Sequence, residues 1–307
     1  MPMRKAYTFS LIFLVVLFSS ADAKILVSIP ELESIAERIS GEEVESLIPP
    51  AVDPHLASIG YQELSRLEDA EIVLLANSKL IEFESKIKQS YAEKCLDFED
   101  YNVTLLEFAG IGENPHAYWL FPGNALNMAF ALKERLAEIH PEMAEEFEKN
   151  YESFKKAIEL AEKDAEKIVS KVRDYSFVAM DPHTAYAISA LGLKVSFVFP
   201  EEITPSAEEI RRIKQFENCV LVIADYQGGT KIGEMAKQIA KESKCGIAKV
   251  KVVSDLSYES LLISNAVALA NPSFIESEED WILYLLMLVV VAEALAMVVI
   301  WQSRRRT

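Results

Sequence analysis

The chain reads as an α/β protein of two similar parallel-sheet lobes joined by one long rigid helix, with a C-terminal transmembrane helix beyond them. Three observations predict this. Short apolar runs alternate with amphipathic stretches before residue 124 and again after residue 174, as parallel strands with right-handed helical crossovers do. Between the two sets lies a helical pattern that has no glycine or proline after Pro141. Near the end, residues 281–301 form an almost unbroken apolar run, bracketed by Trp281 and Trp301 and followed by Arg304-Arg305-Arg306. Such a run is long enough to cross a bilayer.

Taken in order, residues 1–23 have the layout of a signal peptide. Arg4 and Lys5 precede an apolar run, and Ala21-Asp22-Ala23 predicts cleavage before Lys24. Residues 24–140 form the first lobe, with strands expected at 24–28, 44–48, 71–76 and 103–108. Helices fall between them, the first opened by Pro30. In the helix over 124–140, Ala125, Ala129, Leu132, Leu136 and Ile139 share one stripe. Residues 141–173 are the connecting helix. Its apolar positions Phe147, Tyr151, Phe154, Ile158, Ala161, Ala165, Ile168 and Val172 recur at helical spacing, and its opposite face is rich in Glu and Lys. Its length would be about 50 Å. The second lobe, 174–271, has strands expected at 176–180, 194–199, 220–224 and 248–253. An acidic linker (272–280), the transmembrane anchor (281–301) and a cytoplasmic tail (302–307) complete the chain. The terminal arginines place the tail inside and the lobes outside. Glu293, within the span, is either a contact to another membrane subunit or a tolerated carboxyl near one end.

The net charge of −17 argues against nucleic acid as a partner. Of three cysteines, Cys219 and Cys245 each begin an expected strand with one helix between them. An extracellular setting permits them to pair, which would leave Cys95 over. No C-x-x-C spacing suggests zinc held by thiolates.

The chemistry is concentrated in three tripeptides: Asp53-Pro54-His55, Asn114-Pro115-His116 and Asp181-Pro182-His183. Proline stiffens each turn, so each histidine leaves in a preset direction. Imidazole is the commonest protein metal ligand. Unrelated surface turns are the plainer alternative. Each tripeptide follows an expected strand, however, and ligands of open α/β sheets bind beyond the carboxyl ends of strands. Two histidines then come from the first lobe and one from the second. A fourth ligand is expected after a second-lobe strand, where Asp225 and Asp255 both stand, although either could instead start the next helix. His140, before Pro141 at a helix end, reads as structural.

These residues resemble a known family, the substrate-binding proteins of zinc and manganese ABC transporters. The resemblance is carried by Pro50-Ala51-Val52-Asp53-Pro54-His55, Leu67-Glu68-Asp69-Ala70-Glu71-Ile72-Val73 and Glu82. It continues in Asn114-Pro115-His116 with Trp119, Pro122 and Asn124-Ala125, then His183-Thr184-Ala185-Tyr186, Gly192-Leu193-Lys194, Pro205-Ser206 and Asp255. It covers essentially residues 24–270. It implies two α/β lobes, a rigid connecting helix and a metal buried in the cleft. Its ligand positions fall on His55, His116, His183 and Asp255, with Asp225 as a secondary candidate. There are departures. Ala117-Tyr118-Trp119 has one residue more than the usual spacing, and Phe121 stands where Asp is common. The histidine-rich loop of many zinc-specific members is absent from 94–113.

Three imidazoles and a carboxylate suit Zn(II), with Mn(II) as the alternative cargo. The expected protein is a monomeric extracytoplasmic receptor. It would deliver metal to an ABC permease driven by a separate ATPase, since this chain has no Walker-type loop. The alternatives are a zinc-dependent hydrolase, with Asp225 or Asp255 as base, and a metal-dependent adhesin.

Overall fold

The computed structural model describes residues 24–50, 52–201, 205–275, 284–293, 295 and 297. The first lobe is built from β1 (Ile25–Val27), α1 (Glu33–Ser40), β2 (Glu45–Ser46), α2 (Tyr61–Asp69), β3 (Ile72–Leu74), α3 (Glu82–Tyr91) and β4 (Cys95–Leu96). The strand order is β2-β1-β3-β4, with every pair parallel. β1 and β3 are buried along their whole length, which is why each is a continuous apolar triplet rather than an alternating one.

The expected fourth strand at 103–108 is not in this sheet. β4 takes that edge, and only the end of the segment is extended, as a hairpin of β5 (Glu107–Phe108) and β6 (Gly112–Glu113). The reason lies in Asn124, whose side chain accepts the Thr104 N–H and donates to the Thr104 carbonyl. Those bonds occupy both backbone groups that a ladder would use. The hairpin crosses to the second lobe, where Ala109 accepts the Val198 N–H at 2.9 Å. Gly110 has φ +114°, and a Cβ there would collide with the Val198 carbonyl, so only glycine fits this approach.

α4 (Pro122–Ile139) and α5 (Ala144–Val169) follow. The expected helix over 141–173 is a 26-residue helix between two 3-10 turns, Pro141–Met143 and Ser170–Val172. Its length is therefore about 39 Å. The second lobe comprises β7 (Ser176–Ala179), α6 (Pro182–Ser189), β8 (Val195–Val198), α7 (Ala207–Ile213), β9 (Cys219–Ala224), α8 (Lys231–Ser243), β10 (Gly246–Val250), α9 (Tyr258–Ala270) and β11 (Ser273–Phe274). Its sheet order is β11-β10-β9-β7-β8, parallel except for the β10–β11 pair. Cys219 and Cys245 form a disulfide between the starts of β9 and β10. Cys95 is free and half-buried. Burial pushes its thiol up to about 12, so it is a poor nucleophile at neutral pH.

α5 buries Phe147, Phe154, Ile158, Ala161 and Ala165 against α1 and α4 on one side and α9 on the other. One apolar cluster therefore runs from the first sheet through these helices to Phe177 and Val220 of the second. Lobes that share a core have little freedom to swing apart.

The expected signal peptide and cytoplasmic tail lie outside the described residues, as do residues 281–283, 294, 296 and 298–301 of the expected span. Among the described residues no helix is long and apolar enough to cross a membrane. Residues 284–293 are helical, and their apolar side chains are exposed, Leu288 at 66% and Val290 at 63%.

Candidate metal centre

The same local chemistry sets the first two tripeptides. Asp53 Oδ1 accepts the His55 N–H at 2.9 Å, and Asn114 Oδ1 accepts the His116 N–H at 3.0 Å. Each is a turn closed by its own first side chain, with proline fixing the middle. The third works differently. Asp181 caps α6, accepting the Thr184 N–H at 3.2 Å, with Pro182 at the first helical position and His183 next to it.

All three histidines line one cavity of about 880 Å³ between the lobes. The ring centroids of His55 and His116 are 5.8 Å apart, and those of His116 and His183 are 5.2 Å apart. The segment carrying His116 is fastened to both lobes. Asn114, fully buried, donates from Nδ2 to the Pro182 carbonyl at 2.8 Å, and Tyr186 Oη donates to the Asn114 carbonyl at 2.8 Å. On the other side Tyr118 Oη donates to the Ala76 carbonyl at the end of the first sheet. That sheet end is itself held by Glu84, whose carboxylate accepts the N–H groups of Ala76 and Asn77.

His116 and Glu201 approach to 3.5 Å between Nε2 and Oε2. Potential ligand atoms of His55, His116 and Glu201 all lie within 4.8 Å of one another. His183 stands beside this group. Its Nδ1 lies 3.6 Å from Asp181 Oδ1, and Asp181 is itself held by the Gln227 amide. A carboxylate behind one ring nitrogen orients the other toward a ligand.

Electrostatics separate the imidazoles. Burial, with the neighbouring His183 and His55, pushes His116 down to about 4, so it is neutral and ready to donate a lone pair. Burial also opposes charge on His183, but the adjacent Asp181 outweighs it and holds that imidazole above its usual value. Asp181 is likewise desolvated, yet contact with His183, Gln227 and Thr184 keeps it below the usual carboxylate range. Glu31, a further wall residue, is pushed up to about 7, chiefly by burial.

The carboxylates expected from the sequence fare differently. Asp225 lines the cavity, and its Oδ2 pairs with Lys251 Nζ at 3.1 Å. Asp255 is exposed and is not among the lining residues, so this structure does not bring it to the imidazoles. Glu201 and Glu31 were missed. Both follow strands, β8 and β1, and the rule that placed the histidines beyond strand ends reaches them too. His140 lies away from the cavity, with Nε2 2.7 Å from Glu71 Oε2.

Two α/β lobes sharing a helical core, with clustered imidazoles and carboxylates in the cleft between them, have the form of a two-lobed binding protein. The chain belongs to the family described as zinc-uptake complex component A, periplasmic (ZnuA), whose model matches residues 25–271. It is 23% identical over 261 residues to the iron-binding protein YfeA of Yersinia pestis, covering 81% of this chain and 83% of that one. It is 20% identical over 230 residues to the zinc-binding protein AdcA of Streptococcus pyogenes serotype M3, covering 66% of this chain and 44% of the relative. The chain thus spans less than half the length of those streptococcal relatives. Among solved structures, a crystal structure of ZnuA superposes with a TM-score of 0.66 at 24% identity, over 81% of this chain and 98% of that one, which shows the fold.

Proposed function

We propose that this chain is the extracytoplasmic metal receptor of an ABC importer. It captures Zn(II) in the inter-lobe cleft and delivers it to a membrane permease powered by a separate ATPase. The carrying observation is that three histidines from three separate segments line one cavity, with His116 only 3.5 Å from the Glu201 carboxylate. Three imidazoles and one carboxylate make the closed shell that zinc accepts. We assign His55, His116 and His183 as ligands, with Glu201 as the nearest oxygen donor. Asp225 forms part of the acidic wall, and Asp255 reaches the ion only if its loop turns inward.

The matched family is a transport component, which supports a receptor over a zinc-dependent hydrolase. The exposed apolar side chains of residues 284–293 support a membrane anchor over 281–301, because they need an apolar cover, and the charge of Arg304-Arg305-Arg306 supports a tail on the cytoplasmic side. The carboxylates that line the cleft, Glu31, Glu201 and Asp225 among them, favour manganese as a second cargo.

The test is competitive titration of the full chain, purified in mild detergent, against zinc and manganese indicators. One tightly held ion per chain is expected, lost in His116→Ala and in His183→Ala. Absence of stoichiometric binding, or binding indifferent to both substitutions, overturns the assignment.

A further inference from the structure

Buried polar atoms without a partner are few in folded proteins, because each forfeits its hydration with nothing in return. Three of those among the described residues line this one cavity: Glu31 Oε2, His116 Nδ1 and Trp119 Nε1. His116 belongs to the centre already described. Glu31 does not, and neither its place in the chain nor the family match assigns it a role.

Glu31 is held firmly. It sits in the 3-10 turn Pro30–Leu32 directly after β1, with Ile29 and Leu32 buried on either side and proline fixing the turn. Its carboxylate is supported by its own backbone N–H, while Oε2 has no partner in the protein. His183, which comes from the other lobe and lines the same cavity, favours its charged form. A fixed, desolvated carboxylate oxygen without a partner, on a residue that lines the same cavity as the three histidines, has the form of a ligand, since a cation would satisfy it.

We infer that Glu31 is an oxygen ligand of the captured cation, so that the cleft is a mixed imidazole–carboxylate centre with one glutamate from each lobe, Glu31 and Glu201. This rests on the proposed reading of the cleft as a metal site and adds its selectivity. Tetrahedral zinc is complete with three imidazoles and one carboxylate. A second carboxylate is surplus for zinc, but it supplies the further hard donor that a larger cation of the manganese(II) class requires. Glu31 therefore widens the cargo beyond zinc.

The experiment uses the full chain in detergent as wild type, Glu31→Ala and the isosteric Glu31→Gln. Each is titrated with zinc and with manganese, the manganese-loaded forms are examined by X-ray absorption, and the metal-free forms are melted. Manganese affinity is expected to fall about tenfold or more in Glu31→Ala, and zinc affinity by less than about threefold. The manganese shell of Glu31→Ala should contain one oxygen neighbour fewer. The metal-free variants should melt no lower than wild type, because the substitution removes an unpartnered buried carboxylate. Unchanged manganese affinity with an unchanged shell overturns the inference. Equal losses for both metals with the oxygen count intact also overturn it, and leave Glu31 as a counter-charge to His183. A lower melting point in both variants would make it a structural residue instead. If wild type binds neither metal, it is the metal-site reading that fails.

Discussion

Asn114 ties the two halves of the centre together, and its removal should be felt in both stability and affinity. The residue is completely buried. Its Nδ2 donates to Pro182 at 2.8 Å, one residue before His183, and its Oδ1 accepts the His116 N–H at 3.0 Å. Asn114→Ala leaves the Pro182 carbonyl and the His116 N–H without these partners. An abandoned buried group costs about 1–3 kcal/mol, so the loss for the pair should be about 2–4 kcal/mol. Denaturant unfolding of the metal-free protein measures this directly. Metal affinity should fall in parallel by about tenfold, because the spacing of the two imidazoles is no longer enforced. Asn114→Asp separates the two bonds. It keeps the acceptor for His116 but sets a carboxylate oxygen against the Pro182 carbonyl, so it should be at least as destabilising as alanine. A stability loss below about 0.5 kcal/mol with unchanged affinity would refute the claim that this side chain couples the lobes.

Other outcomes follow from the same structure. Metal affinity should weaken on acidification from the neutral range, because Asp181 raises the proton affinity of His183, whereas His116 takes a proton only near 4. Asp181→Asn should move that onset to lower pH, and an affinity flat between about pH 8 and pH 6 in wild type would contradict the assignment. The Glu71 contact raises the His140 pKa, so this pair stabilises the fold below the ordinary imidazole pKa. That contribution disappears as pH rises through the raised value, and His140→Gln should flatten the corresponding limb of a stability–pH curve. Replacing Cys219 and Cys245 by serine opens a loop with a sequence separation of 26 and should cost about 2–4 kcal/mol in unfolding experiments, without altering metal stoichiometry.

Much of the fold was legible because its signals act at short range. The continuous triplets of β1 and β3, and the 3.6-residue stripe of α5, each announce an element and its buried face. The 103–108 segment misled for an equally physical reason. Its apolar residues read as a strand, but the side chain of Asn124, from a later helix, claimed the backbone groups of Thr104. No local pattern carries that information.

The centre divides along the same line. The Asp-Pro-His turn at His55 and the Asn-Pro-His turn at His116 are decided within three residues by proline and a side-chain acceptor, so the sequence by itself determined that these histidines are rigidly presented, and on which kind of loop. It also determined that they stand beyond strand ends, where ligands of such sheets bind. Which carboxylates join them was left to the tertiary structure. Asp225, Asp255, Glu31 and Glu201 all follow strands and are indistinguishable by that rule. The path of each loop over the shared core puts Glu31, Glu201 and Asp225 in the cavity wall and leaves Asp255 out of it. Presentation is a property of a few bonded neighbours. Convergence depends on how α1, α4, α5 and α9 pack the lobes into one body, and that is settled only when the whole chain is folded.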